Sequence, residues 1–117
     1  MDATTLRRKA ASEVSRSLDT AFFRALCEPV RIEILTRLIQ IGRADVASIA
    51  APFDRDRSVI SRHLQILRDA GVVFADQAGR HVYYDIDGPS VLAKLRDITD
   101  RMASLVPTCC PGPGGKG

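Results

Sequence analysis

The sequence predicts a mainly α-helical domain carrying a single β-hairpin, and three observations lead there. Between Asp54 and Gly71 the apolar side chains Ile60, Leu64 and Leu67 recur at steps of four and three, the spacing of one buried helical face. Directly after Gly71, two runs rich in β-branched and aromatic residues, 72–76 and 81–86, are separated by Gln77-Ala78-Gly79-Arg80. The other long apolar stripes, along residues 2–26, 30–41 and 92–105, repeat at helical spacing. A short helix that leads straight into a hairpin with a basic tip is the arrangement of a winged helix-turn-helix, with the hairpin as its wing.

The elements follow in chain order. Residues 2–26 are helix-prone, with Leu6, Val14, Leu18, Phe22 and Leu26 along one stripe and a break expected near Ser15 to Ser17. Pro29 suits a first helical turn because its missing amide hydrogen costs nothing there. Val30, Ile34, Leu38 and Ile41 continue at helical spacing up to Gly42, so this helix is expected to form the core. Residues 44–51 read as a brief extended piece and a short helix burying Val46, Ile49 and Ala50. That helix is expected to be the first of the helix-turn-helix pair.

The second begins at Asp54 or Asp56, either of which can cap it by accepting hydrogen bonds from free amides, and ends at Gly71, where a left-handed residue is needed. Away from its apolar stripe lie Ser58, Ser61, Arg62 and Gln65, groups that donate and accept at base edges and phosphates. Arg57 precedes them, Arg80 occupies the hairpin tip, and Gly79 permits the tight turn. A last helix starts at Asp87-Gly88-Pro89 and carries Leu92, Leu95, Ile98, Met102 and Leu105 along one side. Pro107, Pro111, Pro113 and the glycines that follow set off residues 107–117 as a loose tail holding Cys109 and Cys110, apart from a folded domain over 1–106.

Composition narrows the function. At 117 residues the chain is expected to form one domain, and its net charge of +3 favours a polyanionic partner without establishing one. No run of eighteen apolar residues and no basic-then-apolar leader is present, so no membrane partner and a cytoplasmic location are expected. Three cysteines in a reducing compartment are expected as thiols. A cysteine-based enzyme finds no support: there is no Cys–His pair at helical spacing, no glycine-rich phosphate loop and no paired carboxylates in an apolar cleft.

Four stretches resemble the ArsR/SmtB family of metal-responsive repressors: Ala-Leu-Cys-Glu-Pro-Val-Arg-Ile-Glu-Ile-Leu at 25–35, Ser-Val-Ile-Ser-Arg-His-Leu at 58–64, Leu-Arg-Asp-Ala-Gly-Val-Val at 67–73, and Gly-Arg-His-Val-Tyr-Tyr at 79–84. The resemblance covers about residues 20–105. It implies a homodimer formed through the first and last helices, bound to double-stranded operator DNA with inverted-repeat symmetry. The stripe of the last helix fits that use, with an intramolecular groove as the other way to cover it. Arg57, Ser58, Ser61, Arg62, His63, Gln65 and Arg80 are the expected DNA contacts, although His63 can equally pack at the helix edge. His81 alternates with Val82 on the wing strand, toward water or phosphate.

The resemblance also implies places to look for an effector. A Cys-x-Cys at the first helix of the DNA-binding pair is replaced here by Asp45 and Ala47, and residues 91–105 contain no histidine for a zinc site. A displaced set remains: the adjacent Cys109 and Cys110, with Cys27 as a third thiol just before a helix whose N-terminus favours negative charge. Adjacent thiolates are soft ligands that suit pyramidal arsenite or antimonite, with mercury, cadmium or copper(I) as the alternatives. Cys27 could instead be a packing residue beside Leu26. A redox-sensing dithiol is the other use of the vicinal pair, weakened by the strain of a disulfide between neighbours.

Overall fold

The computed structural model describes residues 2–18, 20–110, 112 and 113, with the side chain of Cys109 outside that set. Six helices and three strands follow in the order α1 (Ala3–Leu18), α2 (Ala21–Leu26), α3 (Pro29–Ile41), β1 (Ala44–Asp45), α4 (Val46–Ala50), α5 (Arg57–Asp69), β2 (Val73–Ala78), β3 (His81–Ile86) and α6 (Gly88–Cys109). They fall into two compact units, one of residues up to Thr20 together with those from Leu92 onward, the other Ala21–Val91.

The Ala21–Val91 unit is a winged helix-turn-helix. Its core gathers Phe22 and Ala25 of α2, Val30, Ile34 and Leu38 of α3, Ile49 and Ala50 of α4, Ile60, Leu64 and Leu67 of α5, and Val73 and Tyr84 of the sheet. Ile34, Leu38, Ile49, Ile60, Leu64, Leu67 and Val72 are the largest side chains fully withdrawn from water. Each such burial contributes about 1.5–3 kcal/mol before the entropy of ordering is set against it. Pro29 opens α3 as the spacing predicts, behind Glu28, whose carboxylate accepts from the Val30 amide at 3.3 Å. Ile41 is the last residue of that helix and is exposed rather than core.

The sheet has three strands, not two. β1 joins the outer edge of β3 in the order β1-β3-β2, pairing Ala44 with Tyr84 and Asp45 with Tyr83. The hairpin register runs from Val73 opposite Ile86 to Ala78 opposite His81, leaving a two-residue turn of Gly79 and Arg80. Gly79 takes φ +65° while Arg80 stays at negative φ, the pattern of a turn whose twist matches its strands.

In the other unit α1 begins behind Asp2, whose carboxylate accepts from the Thr5 amide at 2.7 Å, a bond that holds its pKa below the ordinary value. The expected break into two helices falls after Leu18 rather than at Ser15 to Ser17. Ser17 donates its hydroxyl to the Glu13 carbonyl at 2.9 Å, so the serine is satisfied without leaving the helix, and α1 runs on to Leu18. Phe22 and Leu26 therefore belong to a separate helix in the other unit. Ala10 and Leu105 are buried here, while Leu6, Leu18, Leu92, Leu95, Met102 and Val106 are exposed at 36–47%.

α6 was expected to stop before Pro107, and it continues to Cys109. Proline at this position costs one amide-to-carbonyl bond, but the ladder resumes immediately, with the Cys110 amide donating to the Val106 carbonyl at 3.0 Å. Pro111 and residues 114–117 of the expected loose tail lie outside the described residues. No described helix is long and apolar enough to cross a membrane.

Candidate nucleic-acid interface

The rotation of α5 about its own axis is set by three side chains. Ile60, Leu64 and Leu67 are each 0% exposed in the core, and at roughly 100° per residue the opposite face carries Ser58, Arg62, Gln65 and Asp69. All four are exposed and form one row along the helix, with half-buried Ser61 at its flank. Arg55 and Arg57 stand at the start of the row, alternating with Asp54 and Asp56, where helix amides are unpaired; Arg62 lies within it and Asp69 at its finish.

Both ends of α5 are defined by backbone chemistry. Asp56 occupies the N-cap position, but the cap bond expected of its side chain is absent; its main-chain carbonyl takes the Val59 and Ile60 amides instead. At the other end Gly71 adopts φ +75°, its amide donating to the Arg68 carbonyl at 3.0 Å and the Val72 amide to the Leu67 carbonyl at 2.9 Å. This paired termination needs a left-handed residue and releases the chain directly into β2.

Within the row, Gln65 Nε2 donates to Asp69 Oδ1 at 2.8 Å. A carboxylate only accepts, so this contact orients the Gln65 amide with its carbonyl oxygen turned to other partners. Asp69 was not among the residues singled out from the sequence, although its i+4 spacing from Gln65 is a visible signal. Arg55 was also passed over; it lies in an alternating Asp-Arg run that reads as a solvated stretch until the helix start is placed beside it.

His63 sits apart from the row. It is half-buried beside the apolar stripe, and its Nδ1 lies 3.3 Å from Arg31 Nη1. Desolvation is the largest cause holding its pKa below 6.5, followed by the charge of Arg31, with Arg55 and Arg62 adding to the depression and Glu28 opposing it. Of the two roles open to this histidine, packing at the helix edge is the one its surroundings describe.

α4 is placed by Asp45, which caps it by accepting from the Ser48 amide at 2.9 Å; that bond leads the causes lowering its pKa, with smaller help from the charges of His81 and Arg57. Arg37 of α3 donates to the Ser48 carbonyl at 3.0 Å and ties the two helices together. The wing is braced from its base by Arg43, which pairs with Asp76 at 3.0 Å and lies 4.2 Å from the centre of the Tyr83 ring. No local signal links Arg43 to a partner 33 residues away. Arg80 at the wing tip is exposed, and so is His81.

The three cysteines are divided between the units. Cys27 has an exposed thiol at the elbow between α2 and α3, where its amide donates to the Arg24 carbonyl at 3.2 Å. Cys109 closes α6, and Cys110, with an exposed thiol, follows it. Among the described residues no group of three histidine, cysteine or acidic side chains is gathered closely enough to hold a metal ion.

Residues 28–74 match the bacterial regulatory protein family arsR. The chain is 34% identical over 86 residues to the arsenical resistance operon repressor of Bacillus subtilis, covering 74% of this chain and 81% of that protein. It is 33% identical over 102 residues to an uncharacterized HTH-type transcriptional regulator of Mycobacterium tuberculosis, covering 80% of this chain and 90% of the other. Among solved structures it is similar, with TM-score 0.57 and 27% identity over 85% of this chain and 89% of that one, to a homodimeric winged helix-turn-helix DNA-binding domain from Mycobacterium bovis.

Proposed function

The chain belongs to the bacterial ArsR family of DNA-binding transcriptional repressors, and from that premise we propose that it acts as a homodimer which holds an inverted-repeat operator when metal-free and leaves it on capturing a thiophilic metalloid. The observation that carries the DNA half is the exposed row of α5, locked in orientation by Ile60, Leu64 and Leu67. Ser58, Ser61, Arg62 and Gln65 read base edges or fix the helix on phosphate, while Arg57 and Arg80 neutralise phosphates on either side. Half-sites one helical turn apart, roughly 34 Å, suit two such helices related by a twofold axis.

Dimerisation is supported by the apolar side chains left uncovered on α1 and α6. Leu6, Leu18, Leu92, Leu95, Met102 and Val106 stay in contact with water within one chain, and a second copy offers the same two faces in return. The homodimeric M. bovis neighbour supports the same reading.

The effector is arsenite or antimonite, with mercury, cadmium, copper(I) or an oxidant as the other inducers of the same cysteines. Support comes from the adjacent residues Cys109 and Cys110 at the end of α6, from the exposed thiol of Cys27, and from similarity to a repressor of an arsenical resistance operon. Soft sulfur donors suit a trivalent metalloid. Capture by these thiols releases the operator if the metalloid is held better by the DNA-free dimer than by the DNA-bound one. A tenfold loss of DNA affinity requires about 1.4 kcal/mol of such coupling.

The test is release of a labelled operator duplex by arsenite, antimonite, mercury, cadmium and zinc in turn. Arsenite and antimonite are expected to act at the lowest concentrations, and Cys109→Ser/Cys110→Ser protein is expected to bind the duplex and ignore them. Release that survives the double substitution removes the sensing role of the pair.

A further inference from the structure

One guanidinium connects three elements of the DNA-binding unit. Arg31, in the first turn of α3, donates from Nε to the Ala25 carbonyl at 2.6 Å and from Nη2 to the Arg24 carbonyl at 3.2 Å, both in the last turn of α2. Its remaining arm, Nη1, reaches His63 Nδ1 in α5 at 3.3 Å. Arg31 thus adds a donor to the Ala25 carbonyl and a second one to the Arg24 carbonyl, which also accepts from the Cys27 amide, and reaches α5 with the same group.

We propose that Arg31 is a positioning residue for DNA recognition: through its hydrogen bond to His63 it sets the pose of α5 against α2 and α3, and His63 serves as its acceptor rather than as a DNA contact. This rests on α5 being the DNA-reading helix. The chemistry of the pair is one-directional. A guanidinium has five donors and no acceptor, so Nδ1 of His63 must offer a lone pair. A proton on Nδ1 abolishes the bond and sets imidazolium against guanidinium.

The groups facing His63 add to that effect. Arg31 approaches from α3, Arg55 from the loop ahead of α5 and Arg62 from α5 itself, against the single carboxylate of Glu28 at the α3 cap. Acidification therefore separates two roles by sign. A histidine that touches phosphate gains charge and tightens the complex as pH falls, whereas a histidine that holds the helix through Arg31 loses its bond and loosens it.

The experiment measures affinity for a labelled duplex selected by the metal-free protein from a random-sequence library, between about pH 8 and pH 5 at constant ionic strength. All proteins carry His81→Asn, so that His63 is the histidine left to titrate. The parent is expected to lose about three- to tenfold in affinity on acidification. His63→Asn keeps an acceptor oxygen at the δ position without a titrating proton, and is expected to match the parent at high pH and hold that affinity down to pH 5. Arg31→Ala is expected to bind more weakly at high pH, and its affinity is not expected to fall further on acidification. A merely structural arginine would predict a loss in Arg31→Ala with no change in the parent's pH profile.

Parent affinity that stays level or rises toward pH 5, or an Asn variant that loses affinity in step with the parent, overturns the proposal. Gln65→Ala and Arg62→Ala are run against the selected and a scrambled duplex. If neither changes the preference between them, α5 is not the reading helix, and the premise falls separately from the Arg31 link.

Discussion

Arg57 and Arg80 frame the proposed interface, one at the first residue of α5 and the other at the wing tip, and both are exposed. Neither takes part in the core, so replacing both with Ala should leave the fold intact while deleting two phosphate contacts per subunit. Each phosphate neutralised contributes about 0.9 to the slope of log affinity against log salt concentration. A dimer that loses about four contacts should therefore flatten that slope by ~3.6. Over a fourfold rise in salt, the parent should lose about 150-fold more affinity than the variant. Fluorescence anisotropy with the operator and a scrambled duplex, read at several salt concentrations, measures both numbers. The flattening should be the same for the two duplexes, because a phosphate carries no sequence. A slope changed by less than about 1, or a change confined to the operator, would refute the assignment of these arginines to phosphate. A change of about half the expected size would indicate one subunit on the duplex.

Four further outcomes follow from the packing and the charges. Leu67→Ala, at a site with 0% exposure, should cost ~2–5 kcal/mol in urea unfolding, and a loss below about 1 kcal/mol would show that the α5 stripe is not close-packed. Gly71→Ala places a Cβ at φ +75° and should cost about 1–2 kcal/mol by the same measurement. Asp45 has a folded-state pKa below its ordinary 3.8, so the stability it contributes is present above that value and lost as pH falls through the folded value; Asp45→Asn should show a shallower acid loss than the parent. Leu95→Glu puts a charge on the uncovered face of α6 and should shift sedimentation from dimer to monomer, an effect absent if that face is not the interface.

Helices α3 and α5 and the hairpin were legible because each announces itself within about a dozen residues: an apolar stripe, a proline at the start, a glycine at the stop. The exposed row of α5 was legible for the same reason, since a buried stripe on one side of a helix dictates which residues lie on the other. β1 was harder. Two residues cannot display a period, and Ala44 and Asp45 become a strand only because β3 offers them an unpaired edge. The helix boundaries at Ser17 and Pro107 went the other way, each overridden by a neighbouring hydrogen bond that a residue-by-residue preference does not include.

Local spacing was thus enough for the class of fold and for the rotation of α5 about its axis, because those depend on periodicity and residue chemistry over short distances. The links from Arg31 to His63 and from Arg43 to Asp76 join residues more than thirty positions apart and leave no trace in the order of amino acids. They exist because core burial brings α3 against α5 and β1 against the wing, and a long cationic side chain at such a junction bonds whatever acceptor the packing presents. That is why His63, which as text could belong to the row of Ser58, Arg62 and Gln65, lies in three dimensions apart from it, half-buried and 3.3 Å from Arg31.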